Sequence, residues 1–199
     1  MTAKRIALYL VGAVLLLVGG AAVWKLGPAL LPAKRLNVGI AVGSKVPVTM
    51  ALQDNTGQPT TLASNMGPKG AVVLMVRSAD WCPFCKAQLK RAEHIRSAIT
   101  AQGYTLVSVS YDKPAKLAEF AQTKGIGYPM LSDEGSKLID ALGLRDPQYG
   151  VDSFAYGVPR PAVLILAVDG TVKAKFVDAD YRSRQSNDDI LAMLRQANH

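Results

Sequence analysis

Apolar positions along the chain fall into three kinds of pattern. Residues 6–24 form a nineteen-residue run without a charge. As a helix this is roughly 28 Å long at ~1.5 Å per residue, enough for one hydrocarbon core. Short runs rich in β-branched residues at 71–76, 105–110 and 162–168 predict buried strands. Helical spacing marks four further segments. Cys85, Leu89, Ala92, Ile95 and Ile99 share one stripe of a helix that should end near Gly103. Leu117, Phe120 and Ala121 do the same between Pro114 and Lys124. A short helix is predicted over 137–142, and a last one over 188–196 with Ile190, Leu191 and Leu194 apolar.

The order of these elements sets the architecture. A helix between the runs at 71–76 and 105–110 is a crossover, which implies parallel strands. Asp169-Gly170 turns the run at 162–168 back into 171–177, an antiparallel pair. Residues 48–52 and 60–62 flank Asp54-Asn55-Thr56-Gly57 and predict a hairpin. Residues 146–156 read as a polar, aromatic loop. The expected fold is α/β, a central mixed sheet flanked by helices, preceded by an N-terminal transmembrane helix. Residues 1–31 are read as a membrane anchor, with a signal cleaved near Gly20-Ala21-Ala22 as the alternative. Residues 32–42, entered through Gly27-Pro28 and Pro32, are read as a linker, and 43–199 as the folded domain.

Charge adds to this reading once its distribution is seen. The 199 residues carry 23 Lys and Arg against 15 Asp and Glu, a formal charge of +8. Lys4, Arg5, Lys25, Lys34 and Arg35 lie in an N-terminal stretch with no acid, which leaves 18 against 15 elsewhere. The basicity belongs to the flanks of the apolar run, and no basic tract or nucleic-acid motif remains. Lys4 and Arg5 favour a cytoplasmic N-terminus, whereas Lys25, Lys34 and Arg35 pull the other way. The very short tail before the run tips the expectation. It is a single-pass protein of a bacterial inner membrane, its domain on the periplasmic side.

Both cysteines of the chain stand in Ala79-Asp80-Trp81-Cys82-Pro83-Phe84-Cys85-Lys86, where a strand run gives way to a helix. C-x-x-C at such a junction is a redox signature. At the helix N-cap, Cys82 would meet unpaired backbone N–H groups and the positive end of the helix dipole, which favour thiolate. Pro83 suits the first helical position. Cys85 falls on the apolar stripe and is expected to be the more buried. Cys82 is therefore read as the attacking thiol and Cys85 as the resolving one. A structural disulfide is disfavoured, because so short a loop removes little unfolded-state entropy. A zinc site would need two more ligands, and the histidines are only His94 and His199. No metal or other cofactor is expected.

From about Gly43 to Ala197 the chain resembles the thioredoxin-fold redoxins, the group that includes the AhpC/TSA (alkyl hydroperoxide reductase and thiol-specific antioxidant) family. The marks are Gly43-x-x-x-Pro47, Leu52-x-Asp54-x-x-Gly57, Trp81-Cys82-x-x-Cys85-Lys86 and Tyr128-Pro129-x-Leu131-x-Asp133, with Pro161-Ala162-Val163-Leu164-Ile165 before Asp169-Gly170. The resemblance implies a thioredoxin-like fold in which Pro161, preceded by Arg160, takes a cis bond and faces the cysteines. Trp81, Pro83, Phe84, Arg160 and Pro161 are the expected docking residues. An anchor joined to such a domain is also similar to the membrane-tethered thiol–disulfide oxidoreductases of cytochrome c maturation and disulfide repair. That likeness implies protein disulfide or dithiol substrates and a membrane electron donor.

Two departures stand out. The buried acid that thioredoxins keep six residues before the first cysteine is Val76 here, followed by Arg77. A proton for the leaving thiol must then come from water, from the substrate or from another carboxylate such as Asp80. Peroxiredoxins carry Thr or Ser three residues before the peroxidatic cysteine, and here that residue is Ala79, with Ser78 one position off. Their activating arginine could correspond to Arg160, Arg182 or Arg184. The leading expectation is thus a membrane-anchored thiol–disulfide oxidoreductase. Its alternative is a peroxiredoxin-like thiol peroxidase acting on peroxide, and a metal-carrying or redox-sensing module is the third.

Overall fold

The structure is a computed structural model and describes residues 35–198. The apolar run at 6–24, read as anchor or signal, lies outside the described residues. Among those described, no helix is long and apolar enough to cross a membrane.

One seven-stranded mixed sheet organises the domain. Its strands are β1 (Leu52–Gln53), β2 (Pro59–Thr60), β3 (Gly70–Met75), β4 (Tyr104–Ser110), β5 (Met130–Ser132), β6 (Ala162–Ala167) and β7 (Val172–Val177). The spatial order is β2-β1-β5-β4-β3-β6-β7. β3 pairs in parallel with β4, and β4 with β5, while β6 runs antiparallel to both β3 and β7. The helices are α1 (Pro83–Glu93), α2 (Arg96–Ala101), α3 (Pro114–Lys124), α4 (Lys137–Ala141) and α5 (Asn187–Ala197).

β3 lies inside the sheet between β4 and β6, and every one of its residues is buried. Its period of two deals side chains to two cores. Val72, Leu74 and the following Val76 face a cluster with Cys82, Cys85 and Leu89 of the first helix, Leu117 of α3 and Leu194 of α5. Ala71, Val73 and Met75 face the other cluster, with Leu138 and Ile139 of α4. Both sides of the strand are covered, which is why it reads as a continuous apolar run rather than an alternating one. Gly70 starts it at φ +139, and a Cβ there would lie 1.8 Å from the Leu166 carbonyl oxygen on β6.

Several expectations change in detail. The helix predicted to run from the cysteines towards Gly103 is two helices. His94 and Ile95 donate to Arg91 and Ala92, three residues back, and Ile95 leaves helical geometry at ψ 2. The hairpin strands shrink to two residues each because Met50 N–H turns back to Pro47 and Asp54 Oδ1 gathers the N–H groups of Thr56 and Gln58. β5 was not expected, being too short at three residues to show a period. Of the stretch 32–42 expected as linker, the described residues 35–42 bond to and pack on the sheet domain. Leu36 N–H donates to Val177 O and Ile40 N–H to Leu142 O, and both side chains pack on the α4-side core.

Candidate active site

Cys82 sits at the N-cap of α1 with extended backbone (φ −92, ψ 104), and Pro83 takes the first helical position. Cys82 and Cys85 are joined by a disulfide. The Cys85 N–H points at Cys82 Sγ at 3.3 Å, one of the orphan donors of a helix start. Exposure does not separate the two sulfurs as expected: Cys82 is 1 % exposed and Cys85 0 %. Both belong to the core cluster against which Trp81 packs. The segment after β7 then returns over them.

That segment carries Arg184, whose Nη2 lies 3.1 Å from Cys85 Sγ and 3.9 Å from Cys82 Sγ. Its Nη1 donates to the carbonyls of Tyr181 and Ser183, which hold the guanidinium in place. Burial lowers the Arg184 pKa to about 10, opposed by the negative charge of Asp178 and reinforced by the cations Arg77 and Arg91. At neutral pH it remains a cation. Of the three arginines offered by the sequence, only Arg184 is placed on sulfur. Arg182 is turned to Asp180, at 3.0 Å, and Arg160 faces Asp146 at 3.9 Å.

The turn leading into Cys82 hangs on a buried carboxylate. Asp112 accepts from Ser78 Oγ (2.7 Å), the Ala79 N–H (2.7 Å) and Ser110 Oγ (2.8 Å). Burial raises its pKa, and those hydrogen bonds partly offset the rise. Ser78 Oγ in turn accepts from the N–H groups of Asp80 and Trp81. The Ser78 hydroxyl is thus consumed in holding the turn. Asp80, suggested by sequence as a proton source, points instead to Lys116 at 3.2 Å.

Arg77, which the sequence marks only as a departure, is buried among aromatic rings. It is 2 % exposed, donates to Tyr149 Oη at 2.6 Å, and lies over the rings of Tyr181 (4.5 Å), Tyr149 (4.8 Å) and Trp81 (5.3 Å). Such stacking lets a weakly hydrated guanidinium be buried. Its place just after a fully apolar strand was the one available sequence signal. Trp81 donates Nε1–H to Tyr111 Oη at 3.1 Å and meets Phe154 edge-on at 5.4 Å. Pro83 and Phe84 are exposed, and the Phe84 ring meets Tyr181 at 6.0 Å. Trp81 with the highly exposed Phe154, and Phe84 with Tyr181, therefore form two aromatic pairs carried by residues that flank or lie between the cysteines.

Pro161 differs from expectation. No peptide bond among the described residues is cis. The chain enters β6 extended, with Arg160 N–H donating to Leu144 O and Pro161 O accepting from Asp178 N–H, which the ordinarily favoured trans isomer satisfies. Pro161 and Arg160 line a cavity of about 350 Å³ with Asp146, Gln148, Asp178 and Tyr181, and neither cysteine is in that lining. Among the described residues, no three of His, Cys, Asp and Glu converge as metal ligands.

The AhpC/TSA family model matches residues 42–175. The chain belongs to the AhpC/TSA family. Peroxiredoxin Bcp of Escherichia coli is 23% identical over 146 residues, 73% of this chain and 90% of that protein. Thiol-disulfide oxidoreductase ResA of Halalkalibacterium halodurans is 27% identical over 99 residues, 49% of this chain and 54% of its own length. Among solved structures, peroxidoxin BcpB of Mycobacterium tuberculosis superposes with a TM-score of 0.66 at 22% identity, covering 78% of this chain and 97% of that one. The fold is the thioredoxin-like α/β fold. Redox proteins of the AhpC/TSA family act on peroxides or thiol substrates, and this member is a thiol-dependent redox enzyme.

Proposed function

We propose that the domain is a thiol–disulfide oxidoreductase in which Cys82 and Cys85 cycle between dithiol and disulfide. The observation that carries this reading is the pair itself, bridged at the start of α1 under the Arg184 guanidinium. In the reduced protein, Cys82 is the sulfur favoured by the helix start and the Cys85 N–H, with Arg184 adding positive charge. Cys82 thiolate attacks a substrate disulfide, forming a mixed disulfide and expelling one substrate thiolate. Cys85, deprotonated, then attacks Cys82 Sγ, closing the intramolecular disulfide and releasing the second substrate thiolate. The substrate gains two electrons and, in water, two protons. The aromatic surface of Trp81, Phe84, Phe154 and Tyr181 is where the substrate docks. Pro161 and Arg160 lie at its side, in the Asp178 cavity.

The test is a trapping experiment. Cys85→Ser should accumulate mixed disulfides with partner proteins, and Cys82→Ser should accumulate none. Equal trapping by both variants, or by neither, would refute the roles.

A second reading is favoured by Arg184 and by the peroxiredoxin names of relatives such as Bcp. Cys82 thiolate would take one oxygen of a hydroperoxide, leaving an alcohol or water, and Cys85 would condense with the sulfenic acid to give disulfide and water. Against it stands Ala79, without a hydroxyl, beside a Ser78 hydroxyl already occupied. Stopped-flow mixing of reduced protein with peroxide decides. Oxidation no faster than that of a free thiol eliminates the peroxidase. We further propose that residues 6–24 tether the domain to the outer face of a bacterial inner membrane, where a membrane electron donor recharges it. A reporter fused to the C-terminus and found on the cytoplasmic side would exclude that arrangement.

A further inference from the structure

Arg184 is held on the disulfide by a segment that begins with a buried acid. Asp178 follows β7 directly and is 2 % exposed. Gln185 Nε2–H donates to its Oδ1 at 2.8 Å, while Oδ2 is buried with no hydrogen-bond partner among the described residues. The same is true of Nε on Arg184. Asp178 acts on the Arg184 charge more strongly than Asp180 does, because the Asp180 side chain is partly exposed and committed to Arg182. The Gln185 hydrogen bond thus ties the buried Asp178 carboxylate to the residue next to Arg184, and the carboxylate acts on the guanidinium through space, without a direct ion pair, while the guanidinium itself lies on the sulfur pair.

We propose that Asp178 is a positioning residue that sets the ionisation of the Cys82–Cys85 dithiol through Arg184. Proton uptake at the end of β7 and thiolate formation at the start of α1 are then one coupled titration. The inference rests on the reading of Cys82 and Cys85 as the reacting pair. Ionised Asp178 draws on the field of Arg184 and repels a thiolate, so it raises the thiol pKa. Protonated Asp178 leaves the guanidinium to sulfur and lowers it.

The surroundings suit this role. Burial holds the Asp178 pKa up at about 7, against the lowering effects of Gln185 and Arg184, inside the range where helix-start thiols titrate. The cavity it lines admits solvent protons. Across that cavity, Asp146 and Arg160 face each other at 3.9 Å. Lys175 of β7 gives its ammonium to the carbonyls of Val38 and Gly39, and Arg35, bridged to Asp178 through backbone, gives its guanidinium to Lys175 O. Arg77 and Arg91 face Arg184 from the turn after β3 and from α1. Asp178 is thus a second buried acid of this site, besides the Asp112 that holds the turn before Cys82, at a strand end far in sequence from the position where Val76 stands.

The experiment titrates the reduced full-length protein by alkylation rate and by thiolate ultraviolet absorbance. Wild type is compared with Asp178→Asn, Asp178→Glu, Asp180→Asn and Arg184→Gln. Asp178→Asn should lower the pH of half-ionisation by about one, giving up to about tenfold more thiolate between about pH 7, where wild-type Asp178 becomes ionised, and the thiol midpoint, with the two proteins alike in acid, and should turn a broad two-step curve into a single-proton one. Asp178→Glu should restore the two steps, and Asp180→Asn should leave the curve unmoved. An unmoved curve in Asp178→Asn, with Arg184→Gln still shifted, overturns the proposal and keeps the site reading. Ordinary ionisation of Cys82 in wild type, with Cys85 alkylating first, overturns the site reading itself. Should Asp178→Asn fail to fold, NMR titration of the wild-type Asp178 carboxyl serves instead. Its midpoint should differ between oxidised and reduced protein, and equal midpoints refute the coupling.

Discussion

Replacing Arg184 by Gln removes the cation beside the sulfurs while keeping a polar side chain of similar reach. The guanidinium lies 3.1 Å from Cys85 Sγ and 3.9 Å from Cys82 Sγ. At about 4 Å a unit charge stabilises a thiolate by about 4 kcal/mol for an effective dielectric of ~20, and by about 1 kcal/mol in a water-like one. Arg184 is half-buried, so a value of about 1.4–3 kcal/mol is expected. That moves half-ionisation of the dithiol up by about 1–2 on the pH scale. The helix start and the Cys85 N–H remain in the variant, so the thiol does not become wholly ordinary. Because a more basic thiolate is intrinsically the better nucleophile, with a Brønsted slope of about 0.4–0.5, the rate of thiol exchange should change by less than the thiolate fraction. Alkylation profiles of variant and wild type should therefore cross, the variant slower in acid and faster in alkali. Coincident profiles would refute the electrostatic role, and a variant slower at every pH would reduce Arg184 to a structural support.

Three further outcomes are expected. The folded-state pKa of Asp178, about 7, lies above its ordinary value of 3.8, so the folded protein holds this proton more tightly. Its stabilising contribution is complete below pH ~3.8 and lost as pH rises through ~7; urea unfolding of wild type should show a loss of about 2–4 kcal/mol across that window that Asp178→Asn lacks, and equal slopes for both would contradict it. Asp112→Ala leaves the Ala79 N–H and two buried hydroxyls without their acceptor, which should cost about 2–4 kcal/mol in chemical denaturation; a cost within 0–1 kcal/mol (about the value for a surface change) would show that the turn is held otherwise. Gly70→Ala drives a Cβ into the Leu166 carbonyl, whereas Gly57, at φ +83, has open space around it; thermal melts should show Gly70→Ala severely destabilised and Gly57→Ala lowered by only about 1 kcal/mol, and similar losses would argue against the tight β3–β6 contact.

Where a signal is local, it was legible in the chain. Pro114–Lys124 has the helix bounds that its Pro start and apolar stripe predict. The continuous apolar runs at β3 and β6 announce strands covered on both faces. Cys82 at an N-cap followed by Pro83 follows from the motif and its junction. What was missed has no local period. β5 is three residues long, and residues 35–42 look like a linker because Leu36 and Ile40 reveal their partners, Val177 and Leu142, only after the chain has folded back.

The same division holds at the site. Sequence alone determined that this is an α/β redoxin domain with a cysteine pair at a helix start, because strand and helix periods and the C-x-x-C spacing are properties of neighbouring residues. Only the tertiary structure decided which of three arginines meets sulfur, that Ser78 is bound to Asp112, that both cysteines are buried, and that a buried acid stands at 178 rather than 76. Those facts join residues distant in the chain, from Ser78 and Asp112, 34 positions apart, to Cys85 and Arg184, 99 apart. Charge and burial act through space, and a chain written in order does not state which of its distant groups will share that space.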